Sequence, residues 1–152
     1  MTLIEKLVLS LFLILGFFTF YLAKTLPSPN INIKKEKIEK IEIEFIDHKN
    51  QRYDTAGDYY LRGNTLIVKI SKYKDWRYQW LVMIHELSEV FLVMNKGISF
   101  DSIDQFDMSF KGEDPGSDPN APYHEEHMTA LDIERKLCEK SGLNWEEYED
   151  TL

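Results

Sequence analysis

The sequence has very little cysteine and a shortage of basic charge. Cys138 is the only cysteine among 152 residues, so an intrachain disulfide is excluded, and the fold must be held by its apolar core or by a bound metal ion. Cys138 itself is expected to be a small buried apolar residue. Basic residues number 18 against 26 acidic ones, a net charge of −8. Phosphate backbones repel such a surface, and nucleic acid is not an expected partner.

The first 26 residues differ from the rest because they carry a long apolar run. The run extends from Leu7 to Ala23 without a charged residue, and its length is at the short end for a transmembrane helix. A cleavage site after Ala23 would place Tyr21 where a signal peptidase needs a small residue. We therefore expect residues 1–26 to form a retained single-pass membrane anchor. A cleaved signal peptide and a buried core helix are the alternatives.

The flanks of this run bear on orientation and on domain boundaries. More lysines lie after the run than before it, and this distribution leans towards a cytoplasmic location for the C-terminal domain. Residues 27–37 contain two prolines and no apolar periodicity, and they are expected to be a linker. Residues 38–152 are then the folded domain, a length that fits one domain.

The apolar pattern after the linker predicts a small sheet. Isoleucine and phenylalanine alternate with glutamate over residues 41–45, which is the period of a half-buried strand. Two further apolar stretches, 59–62 and 65–71, flank the turn residues Gly63 and Asn64 and predict a hairpin. Because the connections are short, we expect about three antiparallel strands.

Two long helices are predicted after the sheet. The first spans residues 76–96, with Asp75 as its N-terminal cap and Gly97 as its stop. A shorter helical piece covers residues 101–106, and the second long helix spans 122–141 and begins with a proline. The predicted fold class is α+β: a small antiparallel sheet of about three strands packed on two long helices, preceded by an N-terminal transmembrane helix.

A polar turn interrupts the first long helix. Large apolar side chains cover nearly its whole circumference, so this helix is expected in the middle of the core. Its central turn nevertheless contains His85, Glu86 and Glu89. His85 and Glu89 are one helical turn apart and share a face. Buried carboxylates without a partner are costly, so a metal ion or a basic side chain must compensate for them.

The spacing of these residues favours a metal ion. A histidine and a second ligand one turn apart can reach one ion, and a glutamate directly after the histidine can activate a metal-bound water, as in H-E-x-x-H metalloproteases. Here the motif is H-E-L-S-E, with Glu89 in the place of the second histidine. We therefore predict His85 and Glu89 as ligands of a divalent metal ion, with zinc as the expected ion, and Glu86 as the general base.

The second long helix supplies the remaining candidates. His124 and His127 lie on the side that should meet the first helix. A zinc site draws three or four ligands from such facing elements, so both histidines are predicted ligands. Glu134, two turns beyond His127, is predicted to orient a ligating histidine rather than to bind the ion.

Each candidate also has an interpretation that needs no metal. His85 could be a hydrogen-bonded core histidine, and His124 a surface residue. Glu89 could pair with Arg135 or a lysine. The acidic loop that begins at Asp114 lacks the spacing of a calcium-binding EF-hand, so we interpret its aspartates as turn residues beside the neighbouring prolines.

The combined motifs resemble a family of small uncharacterised proteins common in phages and prophages. The resemblance lies within residues 75–141, in DWRYQWLVMIHELSEVFL, GISFDSIDQFD and DPGSDPNAPYHEEHMTALDIERKLC. It implies that the signature positions are His85, Glu86, Glu89, His124, His127 and Glu134, and it implies no particular reaction. Members are usually soluble, and the N-terminal apolar run departs from that form. A more distant likeness to zinc-dependent metallopeptidases rests on H-E-x-x-E alone.

These observations support three hypotheses. The first is a zinc-dependent hydrolase of peptidase-like kind, acting on a protein or peptide, in which Glu86 activates a metal-bound water. The second is a non-catalytic, metal-stabilised module that binds a protein partner at the membrane. The third is a metal-free domain with a buried charge network that includes Arg135. A water-accessible cleft beside Glu86 favours the first hypothesis, and a closed four-ligand site favours the second.

Overall fold

The computed structural model describes residues 37–112 and 114–152. The expected membrane anchor at residues 1–26 lies outside these residues, and so does the expected linker except for Lys37. The described part has the predicted α+β class. None of the helices described there is long and apolar enough to cross a bilayer.

The three strands form a mixed sheet, so the prediction of an antiparallel sheet is wrong. β1 (Lys40–Ile46) pairs in parallel with β3 (Thr65–Ser71), whereas β2 (Gly57–Arg62) pairs antiparallel with β3. The strand order is β1-β3-β2. The hairpin predicted around Gly63 is confirmed, and Gly63 has a φ of 64° that suits a residue without a side chain.

The connection between β1 and β2 explains the parallel pair. Residues 47–56 cross the end of β3, where the Lys72 N–H donates to the Ile46 carbonyl and the Ser71 N–H donates to the Ala56 carbonyl, each at 2.8 Å. β1 and β2 therefore flank β3 on opposite sides. Alternation of apolar residues gives the two faces of a strand but not its neighbours, so the sequence pattern did not reveal this order.

The first long helix, α1 (Trp76–Lys96), has the predicted bounds. The Asp75 side chain accepts a hydrogen bond from the Arg77 backbone N–H at 3.0 Å, as an N-terminal cap does. Gly97 ends the helix in a left-handed conformation with a φ of 75°. The short piece predicted after Gly97 is a longer helix, α2 (Phe100–Ser109).

The second long helix, α3 (His124–Lys140), begins two residues after the predicted start at Pro122. Tyr123 has φ −123° and ψ 16°, which are not helical angles, so the residues before His124 form a turn instead. The last helix, α4 (Trp145–Glu149), packs Trp145 and Tyr148 against the domain, and both side chains are buried. The C-terminal residues therefore fold back onto the domain.

The core lies between one face of the sheet and the long helices. Leu66, Val68 and Ile70 alternate along β3 and are fully buried, as period-two packing requires. Cys138 on α3 is also fully buried, as predicted. α1 packs along α3 and contacts both β2 and β3. This arrangement directs the polar turn of α1 towards α3.

Helix α1 is apolar all round but buried on one side only, which differs from the expectation of a wholly internal helix. Trp76, Trp80 and Phe91 lie on the outer side and are 65%, 50% and 68% exposed. Ile41 and Ile43 of β1 are also exposed, because α1 packs mainly on the other two strands. The apolar pattern of a helix identifies its apolar positions, but it does not show which of them another element of the fold will cover.

Replacing Gly97 by alanine should lower the free energy of unfolding by about 1 kcal/mol. The physical reason is the left-handed backbone at φ 75°, which disfavours a β-carbon. Chemical denaturation measures the loss. Asn95→Ala, exposed in the same last turn, is the matched control and should change stability by less than about 0.5 kcal/mol. Equal stability of Gly97→Ala and the wild type would contradict the assigned helix end.

Candidate metal centre

His85, Glu89 and His127 meet at the interface between α1 and α3. Their exposed fractions are 7%, 3% and 9%. His85 Nε2 lies 3.2 Å from His127 Nδ1, and His127 Nδ1 lies 2.9 Å from Glu89 Oε2. The third side of the triangle, from Glu89 Oε2 to His85 Nε2, is 3.4 Å. Three predicted ligands therefore converge at a largely buried position.

These separations are those expected between ligands of one ion. With bonds of about 2.0–2.1 Å, the ligands of a tetrahedral zinc ion lie about 3.3 Å apart. The described part of the chain thus contains a buried group, His85, Glu89 and His127, that could hold a metal ion. Three protein ligands leave a fourth tetrahedral position for water or substrate.

A carboxylate fixes the orientation of His85. Its Nδ1 lies 2.9 Å from Glu134 Oε2. An ionised carboxylate can only accept, so Nδ1 carries the proton and Nε2 presents its lone pair to the centre. Glu134 is held in turn by the Tyr148 hydroxyl, which donates to Glu134 Oε1. The geometry is that of a carboxylate orienting a metal-binding histidine, which is the role predicted for Glu134.

A loop before α3 closes over the ring of His127. Asp114 Oδ2 lies 3.3 Å from His127 Nε2, although this nitrogen lacks an aligned hydrogen bond among the described residues. Gly116 lies against the ring, because a β-carbon there would come within 2.3 Å of His127 Cγ. Asp114 also accepts from the Gly116 N–H at 3.2 Å, so its predicted turn is confirmed. Its position beside His127 was not predicted.

Three acceptor atoms therefore face one point. In the tautomers that place the His85 proton on Nδ1 towards Glu134 and the His127 proton on Nε2 towards Asp114, the inner nitrogens present lone pairs, as does the Glu89 oxygen. Lone pairs about 3 Å apart repel one another unless a proton or a metal ion lies between them. The geometry therefore suits either a metal ion at the centre or a proton shared between these atoms.

The pKa values of the cluster are shifted in favour of positively charged imidazoles and a negatively charged Glu89. Burial alone would lower the pKa of His127, but the carboxylates of Asp114 and Glu89 outweigh burial and raise it to about 9. Burial would likewise lower the pKa of His85, and contacts with Glu134 and Glu89 raise it well above its usual range instead. Burial would raise the pKa of Glu89, but the two imidazoles hold it at about 2. The cluster favours positive charge at its centre.

Arg135 does not supply that charge. Its guanidinium lies on the outer side of α3, where Nε is 3.2 Å from Glu139 Oε1, and both side chains are more than half exposed. The hypothesis of a buried network containing Arg135 is therefore wrong. Arg135 directly follows Glu134, and consecutive helical residues point about 100° apart, so they cannot share the buried face.

His124 lies at the edge of the cluster rather than in it. Its Nδ1 donates to the Gly116 carbonyl at 2.9 Å, and the residue is only half-buried. Among the described residues it does not join His85, Glu89 and His127. The role of His124 as a fourth ligand stays a prediction.

Two buried tyrosines hold the carboxylates, and neither was recognised from the sequence. The Tyr59 hydroxyl donates to Glu89 Oε1 at 2.7 Å, and Tyr148 holds Glu134 in the same manner. Tyr59 lies on β2 and Tyr148 on α4, so neither tyrosine belongs to the helices that carry the ligands. A tyrosine in an apolar pattern resembles any core aromatic residue, so no sequence signal distinguished them.

Glu86 lines a cavity that opens on the three ligands. The cavity has a volume of about 50 Å³ and is bordered by Glu86 together with His85, Glu89 and His127. The Glu86 side chain packs against Gly57, where a β-carbon would come within 2.2 Å of Glu86 Oε1. Glu86 is 8% exposed. Burial raises its pKa well above the usual range, and the neighbouring His85 reduces this effect only in part.

Asp107 borders the same cavity from α2. Its Oδ1 accepts from the Tyr123 hydroxyl at 2.7 Å, and its Oδ2 accepts from the Tyr53 hydroxyl at 3.3 Å. Burial raises the pKa of Asp107 to about 7, despite these two hydrogen bonds. Asp107 ends the D-Q-F-D stretch within the motif that resembles the phage family, but it was not among the predicted site residues.

A serine–histidine–aspartate chain elsewhere in the domain does not form a second active site. His48 Nδ1 lies 3.1 Å from Ser71 Oγ, and His48 Nε2 lies 2.9 Å from Asp54 Oδ1. Ser71 is fully buried, so its hydroxyl cannot reach a substrate. The chain instead ties the β1–β2 connection to the end of β3.

Comparisons of the chain with family models, with curated proteins and with solved structures found no match. The resemblance to a phage-associated family therefore stays a prediction. Function has to be argued from the geometry of the cluster and its cavity.

Ionisation of Asp107 should make the domain less stable between about pH 4 and pH 7. The pKa of about 7 in the folded state lies above the unfolded value, so the unfolded chain releases the proton first, and stability is lost as the pH rises through this window. Asp107→Asn removes this dependence. The variant should gain up to about 4 kcal/mol relative to the wild type between pH 4 and pH 8.

Urea denaturation at several pH values, with chelator present throughout, measures this difference. Asp101→Asn is the control, because Asp101 is exposed on the same helix. Its stability difference from the wild type should stay constant with pH. A constant difference for Asp107→Asn as well would contradict the raised pKa.

Proposed function

We propose that this chain is a zinc-dependent hydrolase with a peptidase-like site that acts on a protein or peptide. The observation that carries the proposal is the convergence of His85 Nε2, Glu89 Oε2 and His127 Nδ1, all within 3.4 Å of one another, beside a cavity that Glu86 also lines. The donor set of two imidazoles and one carboxylate is one that zinc enzymes use.

The metal would supply the electrophile. A bound zinc ion lowers the pKa of a coordinated water to about 7 and polarises a substrate carbonyl. His85, Glu89 and His127 would hold the ion beside the cavity that all three line. Glu134 and Asp114 supply the acceptors that keep the two imidazoles in the required tautomers.

Glu86 is the proposed general base. It directly follows His85 on α1, and its carboxylate borders the same cavity as the ligands. A carboxylate whose pKa is raised by burial can take a proton from the attacking water and deliver it to the leaving amine near neutral pH. Gly57 leaves the space in which this carboxylate lies.

A metal-stabilised binding module is the second candidate. The observation that favours it is the origin of the ligands: two come from α1 and one from α3, so an ion would cross-link the two long helices. Metal binding of this kind stabilises the folded state without any reaction. The two candidates agree on the metal and differ on turnover.

Metal content tests the site itself. The full-length chain, purified in detergent, should contain about one zinc ion per chain by elemental analysis. His85→Ala should lower zinc affinity by at least about 100-fold, because it removes a ligand. His124→Gln is the matched comparison: unchanged affinity limits the ligands to three, and a similar loss adds His124 as a fourth. Equal affinity of His85→Ala and the wild type would disprove the site.

Turnover separates the two candidate functions. With zinc bound, the wild-type chain should hydrolyse members of a peptide library, and Glu86→Gln should reduce the rate by about 10²–10⁴-fold while it keeps the metal and the fold. Liquid chromatography with mass spectrometry detects the products. A zinc-loaded wild type that cleaves nothing favours the binding module. Unfolding of Glu86→Gln instead assigns Glu86 a structural role.

A further inference from the structure

The cavity beside the ligands is bordered by more carboxylates than the proposed reaction uses. Among the described residues, four carboxylates border it besides that of Glu89, and no lysine or arginine does; the four are Asp58, Glu86, Asp107 and Asp114. These acidic side chains outnumber the two imidazoles of His85 and His127 in the cavity wall, and an excess of one sign of charge attracts ligands of the opposite sign. The question is which of these carboxylates are free to bind such a ligand.

Two of the four are already engaged by protein groups. Both oxygens of Asp58 accept from the Arg52 guanidinium, at 2.6 and 2.7 Å. Asp114 accepts from the Ser117 hydroxyl and the Gly116 N–H, and its Oδ2 faces His127. Neither has the capacity to pair with a further cation, because the Arg52 guanidinium neutralises Asp58 and the ring of His127 faces Asp114.

The other two carboxylates retain that capacity. Within the described part of the chain, Asp107 accepts only from two neutral groups, the hydroxyls of Tyr53 and Tyr123, and a carboxylate has about four acceptor positions. Glu86 is more than nine-tenths buried, and no hydrogen bond to its carboxylate comes from a described residue. A largely buried carboxylate without a hydrogen-bond donor is unfavourable, and a cation in the cavity would supply the missing donors.

The size of the cavity limits what can enter. A volume of about 50 Å³ is enough for a few water-sized groups, since one ordered water needs roughly 10–15 Å³ on the same measure. A primary ammonium with an adjoining methylene group is of this size.

We propose that this cavity binds the primary ammonium group of the substrate, with Asp107 as the residue that recognises it and Glu86 as its neighbour in the cavity. An ammonium group donates three hydrogen bonds and matches acceptors that have no other donor. The inference extends the proposed function, since it defines the substrate as a peptide with a free amino terminus or a lysine side chain next to the scissile bond. The tyrosine hydroxyls fix the orientation of Asp107.

Ligand-observed NMR titration of the full-length chain with n-propylammonium and with n-propanol tests the site. The ammonium should bind at least about tenfold more tightly than the alcohol of the same shape. Asp107→Asn should remove that preference, and Asp101→Asn should preserve it. Equal binding of the two compounds to the wild type overturns the proposal, and this result needs no variant to fold. A full preference in folded Asp107→Asn overturns it as well.

The metal state separates this inference from the proposed function. The titration is repeated with chelator present, and the preference for the ammonium should persist because Asp107 does not bind the metal. In the cobalt-substituted chain, n-propylammonium should leave the visible spectrum unchanged. A changed spectrum would show the amine on the metal and overturn the proposal. If the chain prefers the ammonium compound but does not bind zinc, only the hydrolase proposal is refuted. If it binds zinc but shows no preference for the ammonium compound, only the ammonium site is refuted.

Peptide substrates distinguish the two sources of an ammonium group. Acetylation of the amino terminus should reduce kcat/KM by at least about tenfold if the terminus is recognised, and replacement of lysine by norleucine should do so if the side chain is recognised. Asp107→Asn should lose the discrimination in either series. Active enzyme that treats all these peptides alike contradicts the recognition of an ammonium group.

Discussion

Burial of carboxylates and imidazoles between the two long helices is the constraint on which the rest of the structure depends. Charged and polar groups in a dry interface destabilise a fold unless every one of them is paired. Here a continuous chain of polar contacts runs from Tyr59 through Glu89 and the two histidines to Glu134 and Tyr148. This chain links β2, α1, α3 and α4, so the same contacts that orient the candidate ligands also join the elements of the fold.

Space for this cluster is provided by residues without side chains. Gly57 at the start of β2 leaves room for the Glu86 carboxylate, and Gly116 leaves room for the ring of His127. Larger residues at either position would push the polar side chain away from the centre. The candidate site is therefore built from both sides: α1 and α3 present the ligands, and the backbone of β2 and of the loop before α3 defines the cavity. A cavity of this kind is small and acidic, and it differs from the apolar pocket that most ligands occupy.

The inner and outer sides of helix α1 face different environments. Its inner side carries the histidine and both glutamates, whereas Trp76, Trp80 and Phe91 on its outer side remain exposed. The polar residues are thus buried, and some of the largest apolar residues are not, which reverses the usual order for a helix in a globular domain. A proton or a metal ion at the centre would stabilise the inner arrangement. This inversion is the reason that the core cannot be explained by apolar packing alone.

The sequence by itself determined the features that depend on neighbours along the chain. The cap at Asp75 and the stop at Gly97 set the bounds of α1, and the turn at Gly63 set the hairpin, because these signals act over a few residues. Helical periodicity also brought His85, Glu89 and His127 to facing sides. Only the tertiary structure decided the parallel pairing of β1 with β3, the hydroxyl partners of the carboxylates, the place of Asp107 in the cavity and the surface position of Arg135. Each of these depends on contacts between residues far apart in sequence, and neither spacing nor residue type encodes which distant surface a side chain will meet.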